Sequence, residues 1–244
     1  MWYKSRPNPI LSSRNFDDIE LGSETVLQGT INRCLVLLTL VFVSAIFAWG
    51  SAGDLVVLGR RLTLFMIIGL AIFITACIKK EWSAVTAPLY AVFQGLFLGG
   101  ISRLCEMLHP GVVFQAILLT FGIAFAMLIL YRTGMIEVTR KFKMIMLSAL
   151  SGVFALYVSS WILGPFGISI PLIHSSGIIG LAFTGFVIVI GALSLAIDFE
   201  AIVNFSDRKL PVYMSWFAAF GLIVGLIYLY WHILKMLVKL RGRN

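Results

Sequence analysis

The sequence predicts an all-α integral membrane protein, a bundle of seven membrane-crossing helices. Three observations predict it. Hydrophobic residues make up 60% of the chain and charged ones only 12%, against about 25% charged in ordinary soluble domains. The apolar residues come in long runs, which burial in lipid explains better than a soluble core does. At about 20 residues per crossing, the 244 residues leave room for seven or eight spans and no extramembrane domain.

The first 33 residues are polar, with Lys4, Arg6, Arg14 and Arg33 set against Asp17, Asp18, Glu20 and Glu24. They contain no apolar core of a cleavable signal peptide, so the first span is expected to direct insertion itself. The expected organisation is a cytoplasmic N-terminal tail, 1–33, before one transmembrane domain, 34–240. Seven apolar runs follow, near 34–50, 62–78, 84–102, 111–131, 144–163, 177–197 and 212–234. Trp49, Trp82, Tyr131, Trp161, Trp216, Tyr230 and Trp231 fall near their ends, where amphipathic rings favour the headgroup level.

Lys and Arg in the loops set orientation. A cytoplasmic N-terminus puts twelve of them inside and seven outside, which favours N-in. The basic C-terminus, with Lys235, Lys239, Arg241 and Arg243, dissents, because seven spans place it outside. Either that tail snorkels on the outer face, or one segment fails to span. The net charge of +8 is read as topology and contact with anionic lipid, and nucleic acid is not an expected partner. Cys34, Cys77 and Cys105 lie in or beside three different runs without CxxC spacing, so they read as packing residues.

Small residues recur at helix-packing spacing. Gly95-xxx-Gly99 and Gly221-xxx-Gly225 are GxxxG pairs, and Ser148-xxx-Gly152 is a small-xxx-small pair. Such spacing lets two helix backbones approach closely, which nominates the third and seventh spans as central. Gly185 and Gly191 loosen the sixth span. Gln94, beside Gly95, and Gln115 are polar groups placed to bond across helices, and Gln94 with the GxxxG glycines reads as helix packing or as the lining of a pathway.

The sequence holds no HExxH, GxSxG, Walker-type or GxGxxG motif, and enzymatic activity, a resident cofactor and a metal centre are not expected. His109 and His174 read as loop residues. His232, near the end of the seventh span, reads as an interfacial ring or as a titrating partner of a buried group. The remaining chemistry lies after the uncharged stretch Gly177–Ile197, where Asp198 and Glu200 arrive while the chain is still apolar. A carboxylate at or inside the hydrocarbon boundary costs several kcal/mol unless it is paired, protonated or wetted, so it reads as a functional site or as an interfacial residue ending the helix in headgroup water. On a helix the two acids are about 200° apart, so they share a cation only if the backbone unwinds. Two carboxylates give calcium, which takes about six to eight oxygens, a loose and transient station.

Several segments resemble the opening and body of the transmembrane Bax-inhibitor family, in its bacterial YccA-like branch. They are NPIL (Asn8 to Leu11), TVLQGTINR (Thr25 to Arg33), YAVFQGLFLGGIS (Tyr90 to Ser102), HPGVVFQAILLTF with YRTGMIEVTRKF (Tyr131 to Phe142), and WFAAFGLIVGLIYLYWHIL (Trp216 to Leu234). The resemblance implies seven helices with the last one central and wrapped by the other six, in a bacterial inner membrane. It also implies a pH-sensitive calcium leak latched by two aspartates, one on the sixth helix and one on the seventh, that share a proton. Asp198 matches the first of these. Where the family motif carries a glutamine two or three positions on, this chain runs Asp198-Phe199-Glu200. For the second aspartate, matching the word Leu-Tyr-x-Asp points to His232, whereas matching by depth in the helix points to Gly225. A His232 partner would be charged at low pH and would strengthen an Asp–His pair, centring gating near about pH 6 to 7.

The expected function is therefore a slow calcium or cation leak in the lipid bilayer. The competing expectation, also implied by the resemblance, is a modulator that binds a membrane-anchored protease through the polar N-terminus and transports nothing. Removing residues 1–24 distinguishes them, since it abolishes binding and spares a leak.

Overall fold

The computed structural model describes residues 13–50, 55–163, 177–207 and 212–242. Among them run seven long helices: α1 (Ser13–Gly50), α2 (Leu55–Ile78), α3 (Ser83–Leu108), α4 (Val112–Arg132), α5 (Arg140–Leu163), α6 (Ile178–Asp207) and α7 (Val212–Arg241). A 3₁₀ turn, Lys80–Trp82, joins α2 to α3. All seven helices are long and apolar enough to cross a membrane. Seven crossings leave α1 starting on one face, the N-side, and α7 ending on the other, the C-side.

The crossings extend further out than hydropathy alone predicts. The first span is already helical at Arg33, the third runs to Leu108 and the seventh to Arg241. The added turns carry cations, and each has a partner. Arg33 donates to Ser215 Oγ and lies 5.4 Å from the centre of the Trp216 ring. Arg103 donates to the Trp49 carbonyl. Lys239 donates to Thr184 Oγ1 at 3.2 Å, and Arg241 to the Pro110 carbonyl and, at 3.0 Å, to Gln115 Oε1. Lys239 and Arg241 are thus built into the packing at the end of a helix long and apolar enough to cross. At the other end, the polar N-terminal segment is helical from Ser13 and continuous with the first span. Residues 1–12 and His174 lie outside the described residues.

The last helix is central, and four helices pack along it. It packs against α1, α3, α4 and α6, while α2 leans on α3 and α5 on α6. Half of the most apolar stretch of α7 is buried, against 17% for α2 and 11% for α5. Its Ile223, Leu229 and Leu234 are fully buried, as are Leu37 of α1 and Leu195 of α6 packed with them. The α1–α3 seam closes at Gly95 and Gly99. A Cβ on Gly99 would lie 2.6 Å from Ala45 Cα, and one on Gly95 would lie 3.0 Å from Val41 Cα. Only glycine permits this approach. Ser148 and Gly152 do not make such a seam, because both are exposed and nothing comes within 4 Å of a Cβ at Gly152.

On the C-side, α4 is started by a device outside its own sequence. Gly111 precedes it at φ 81°, a left-handed conformation that favours glycine. The Glu106 carboxylate accepts from the backbone N–H groups of Gly111 and Val113, satisfying donors that a helix leaves open at its N-terminus.

Candidate functional site

Asp198 sits on α6, nine residues before the helix ends at Asp207, which is about 13 Å along the helix axis. The helix is unbroken there, and through Gly185 and Gly191. Gly191 is a packing position, since a Cβ on it would meet the Tyr228 ring at 2.8 Å. The Asp198 side chain is half-buried and turned toward α7. A Cβ on Gly225 would lie 2.9 Å from Asp198 Oδ2, and one on Gly221 would lie 3.3 Å from Oδ1. Residues four apart on a helix share a face, so the two glycines form a notch and the carboxylate occupies it. This GxxxG pair therefore differs from Gly95 and Gly99: it accommodates an acid where the other accommodates a backbone. Among the described residues, no side chain forms an ion pair or hydrogen bond with Asp198.

Glu200 faces elsewhere. Its carboxylate accepts from Tyr131 Oη of α4 at 2.7 Å and from Asn204 Nδ2 at 2.7 Å. Because α6 stays helical through both acids, the angular separation holds and one cation does not touch both. The two-carboxylate station expected from the sequence is not assembled. Glu200 ties the N-side ends of α4 and α6 together.

His232 is likewise not with Asp198. It follows Gly225 by seven residues, about 10 Å along α7, and is nearly fully buried. Its Nδ1 lies 2.8 Å from the Tyr228 carbonyl, and its Nε2 lies 3.1 Å from Tyr157 Oη. A carbonyl only accepts, so Nδ1 carries the proton and Nε2 accepts from Tyr157. The ring therefore fastens α5 to α7, and Lys235 lies 5.2 Å over the Tyr157 ring beside it. Tyr228 Oη is buried there without a partner among the described residues. Sequence reasoning missed this cluster, although Tyr228 and His232 at helical spacing were its signal. Gln94 points toward α2, where a Cβ on Gly69 would lie 3.0 Å from its Oε1. It belongs to the α2–α3 seam.

A sequence model described as Bax inhibitor 1 like matches residues 8–242. The chain belongs to the Bax inhibitor 1-like family. No curated protein and no solved structure matches it. The two positions that the resemblance offered for a second acid lie in different surroundings. Gly225, the residue matched by depth, faces Asp198, and His232, matched by word, does not. At this place the chain has one carboxylate over two glycines. One carboxylate supplies at most two of the oxygens a calcium ion takes, leaving water or backbone carbonyls for the rest.

Proposed function

We propose that this protein is a slow, regulated leak for calcium or a similar cation, with the Asp198 carboxylate as its gate. The observation that carries the reading is that carboxylate, held between α6 and α7 against Gly221 and Gly225 without a protein partner among the described residues. An unpaired acid at this depth is costly to keep, and a transient cation or water repays that cost. Protonation removes the charge, so flux falls as pH falls, and Asp198→Asn represents the permanently uncharged gate. The membrane is read as a bacterial inner membrane of the YccA-like branch, with the N-side cytoplasmic.

The test is calcium entry into liposomes holding the purified protein, beside liposomes holding Asp198→Asn. Flux in the first and its loss in the second supports the reading. Absence of flux in both rejects it.

One observation favours the second reading, a modulator that grips a membrane-anchored protease. Helix α1 begins at Ser13, well before the apolar run that opens at Cys34. The twenty-one residues 13–33 make about 32 Å of helix for a partner to dock on. Removing residues 1–24 leaves flux intact under the first reading and abolishes the activity under the second.

A further inference from the structure

Helices α1 and α4 do not pack directly along their length. Between them lies an apolar gap of about 390 Å³, floored by Ile223 and Leu226 of α7 and by Leu98 and Gly99 of α3. On its outer side the gap is bridged by one aromatic stack, Phe42 of α1 on Phe121 of α4, with ring centres 6.1 Å apart and planes within 12° of parallel.

The polar groups on this wall are already satisfied. Ser102 Oγ and Tyr230 Oη bond each other at 2.6 Å, and Thr120 donates to the Ala116 carbonyl at 2.7 Å. Water needs two to four polar partners to be held in such a place, and the Ser102–Tyr230 pair leaves one O–H donor beyond its own bond in an otherwise apolar wall. Left empty, the gap forfeits the dispersion contacts of its lining. The solvent on its open side is hydrocarbon. At the C-side end stands Arg103, whose guanidinium donates to the carbonyl of Trp49, a residue of the gap's wall. That contact uses one of its five N–H donors. The neighbouring acid, Glu106, is committed to the N–H groups of Gly111 and Val113, so Arg103 keeps its charge for an anion.

We propose that the gap between α1 and α4 binds one acyl chain of a bilayer phospholipid, whose phosphate sits on Arg103. The apolar wall selects the chain and the guanidinium selects the phosphate. This site lies on the face of α7 that turns toward α1 and α4, separate from the notch that holds Asp198.

The experiment starts from the full-length protein extracted in mild detergent and washed exhaustively. Retained lipid is identified by mass spectrometry and counted by phosphorus assay. Retention of stoichiometric phospholipid is expected, lost in Ile117→Trp, which fills the gap. In Arg103→Gln, affinity is expected to weaken about tenfold, the factor that about 1.4 kcal/mol corresponds to. Should Ile117→Trp fail to fold, a phosphatidylglycerol with a photoreactive acyl chain decides the matter on the unaltered protein. Crosslinks concentrated on Phe42, Ile117 and Phe121 support the site. Crosslinks spread evenly over the outer helices, retention of free fatty acid in place of phospholipid, or retention unchanged in Ile117→Trp would each overturn it.

Discussion

Adding a single methyl group at Gly99 tests how tightly α1 and α3 are joined. In Gly99→Ala the new Cβ lands 2.6 Å from Ala45 Cα and 2.7 Å from Ala45 C. Carbon atoms rest at about 3.5–4.0 Å, so the shortfall is about 1 Å. The obstacle is backbone, which does not swing aside as a side-chain tip does. The two helices must separate locally by about that distance, and a gap of 0.5–1 Å forfeits roughly a quarter to a half of each contact it opens. Overpacking of this kind costs about 1–3 kcal/mol, of which the better helix propensity of alanine returns up to about 1 kcal/mol. A net loss of about 1–2 kcal/mol lowers Tm by about 2–8 °C in a chain of this size. Gly122→Ala is the control, because nothing lies within 4 Å of its added Cβ. It keeps the propensity gain and should raise Tm. The assay is thermal unfolding in one detergent, followed by tryptophan fluorescence. A Gly99→Ala protein as stable as Gly122→Ala would refute the close seam.

Two further outcomes separate the acids. Tyr131→Phe removes a hydrogen bond to a partly exposed carboxylate at Glu200, so it should cost about 1 kcal/mol of stability and leave cation flux unchanged; a flux change would return Glu200 to the pathway. Gly225→Asp places a second carboxylate against Asp198, and two acids at that distance share a proton. Its flux should therefore show two titration steps where the native protein shows one, and a single unaltered step would mean that position 225 does not face the gate.

Much of the fold was legible because lipid tolerates long uncharged runs and little else. The helix ends were not. Hydropathy reads Arg33, Arg103 and Lys239 as loop residues, whereas each is helical and has a partner on another helix, Ser215, Trp49 and Thr184 respectively. Asp198 was legible as an acid inside an apolar run. Its surroundings were not, since Gly95-xxx-Gly99 and Gly221-xxx-Gly225 are the same word with different uses. One meets a helix backbone and the other meets a carboxylate, and only the packing of α6 against α7 distinguishes them. His232 drew attention as a titratable group near the expected second acid, but two turns of helix separate it from Gly225. Its partners, Tyr157 and Tyr228, lie on α5 and on its own helix.

The central claim is that one carboxylate gates a cation path and that the histidine does not. The direct measurement is calcium flux into liposomes from about pH 5 to about pH 8, the range in which carboxyl and imidazole groups of membrane sites titrate, compared among the native protein, Asp198→Asn and His232→Ala. The account predicts flux that rises with pH in the native protein, the same profile in His232→Ala, and a low, flat line in Asp198→Asn. A native profile kept by Asp198→Asn, or one flattened by His232→Ala, would contradict it.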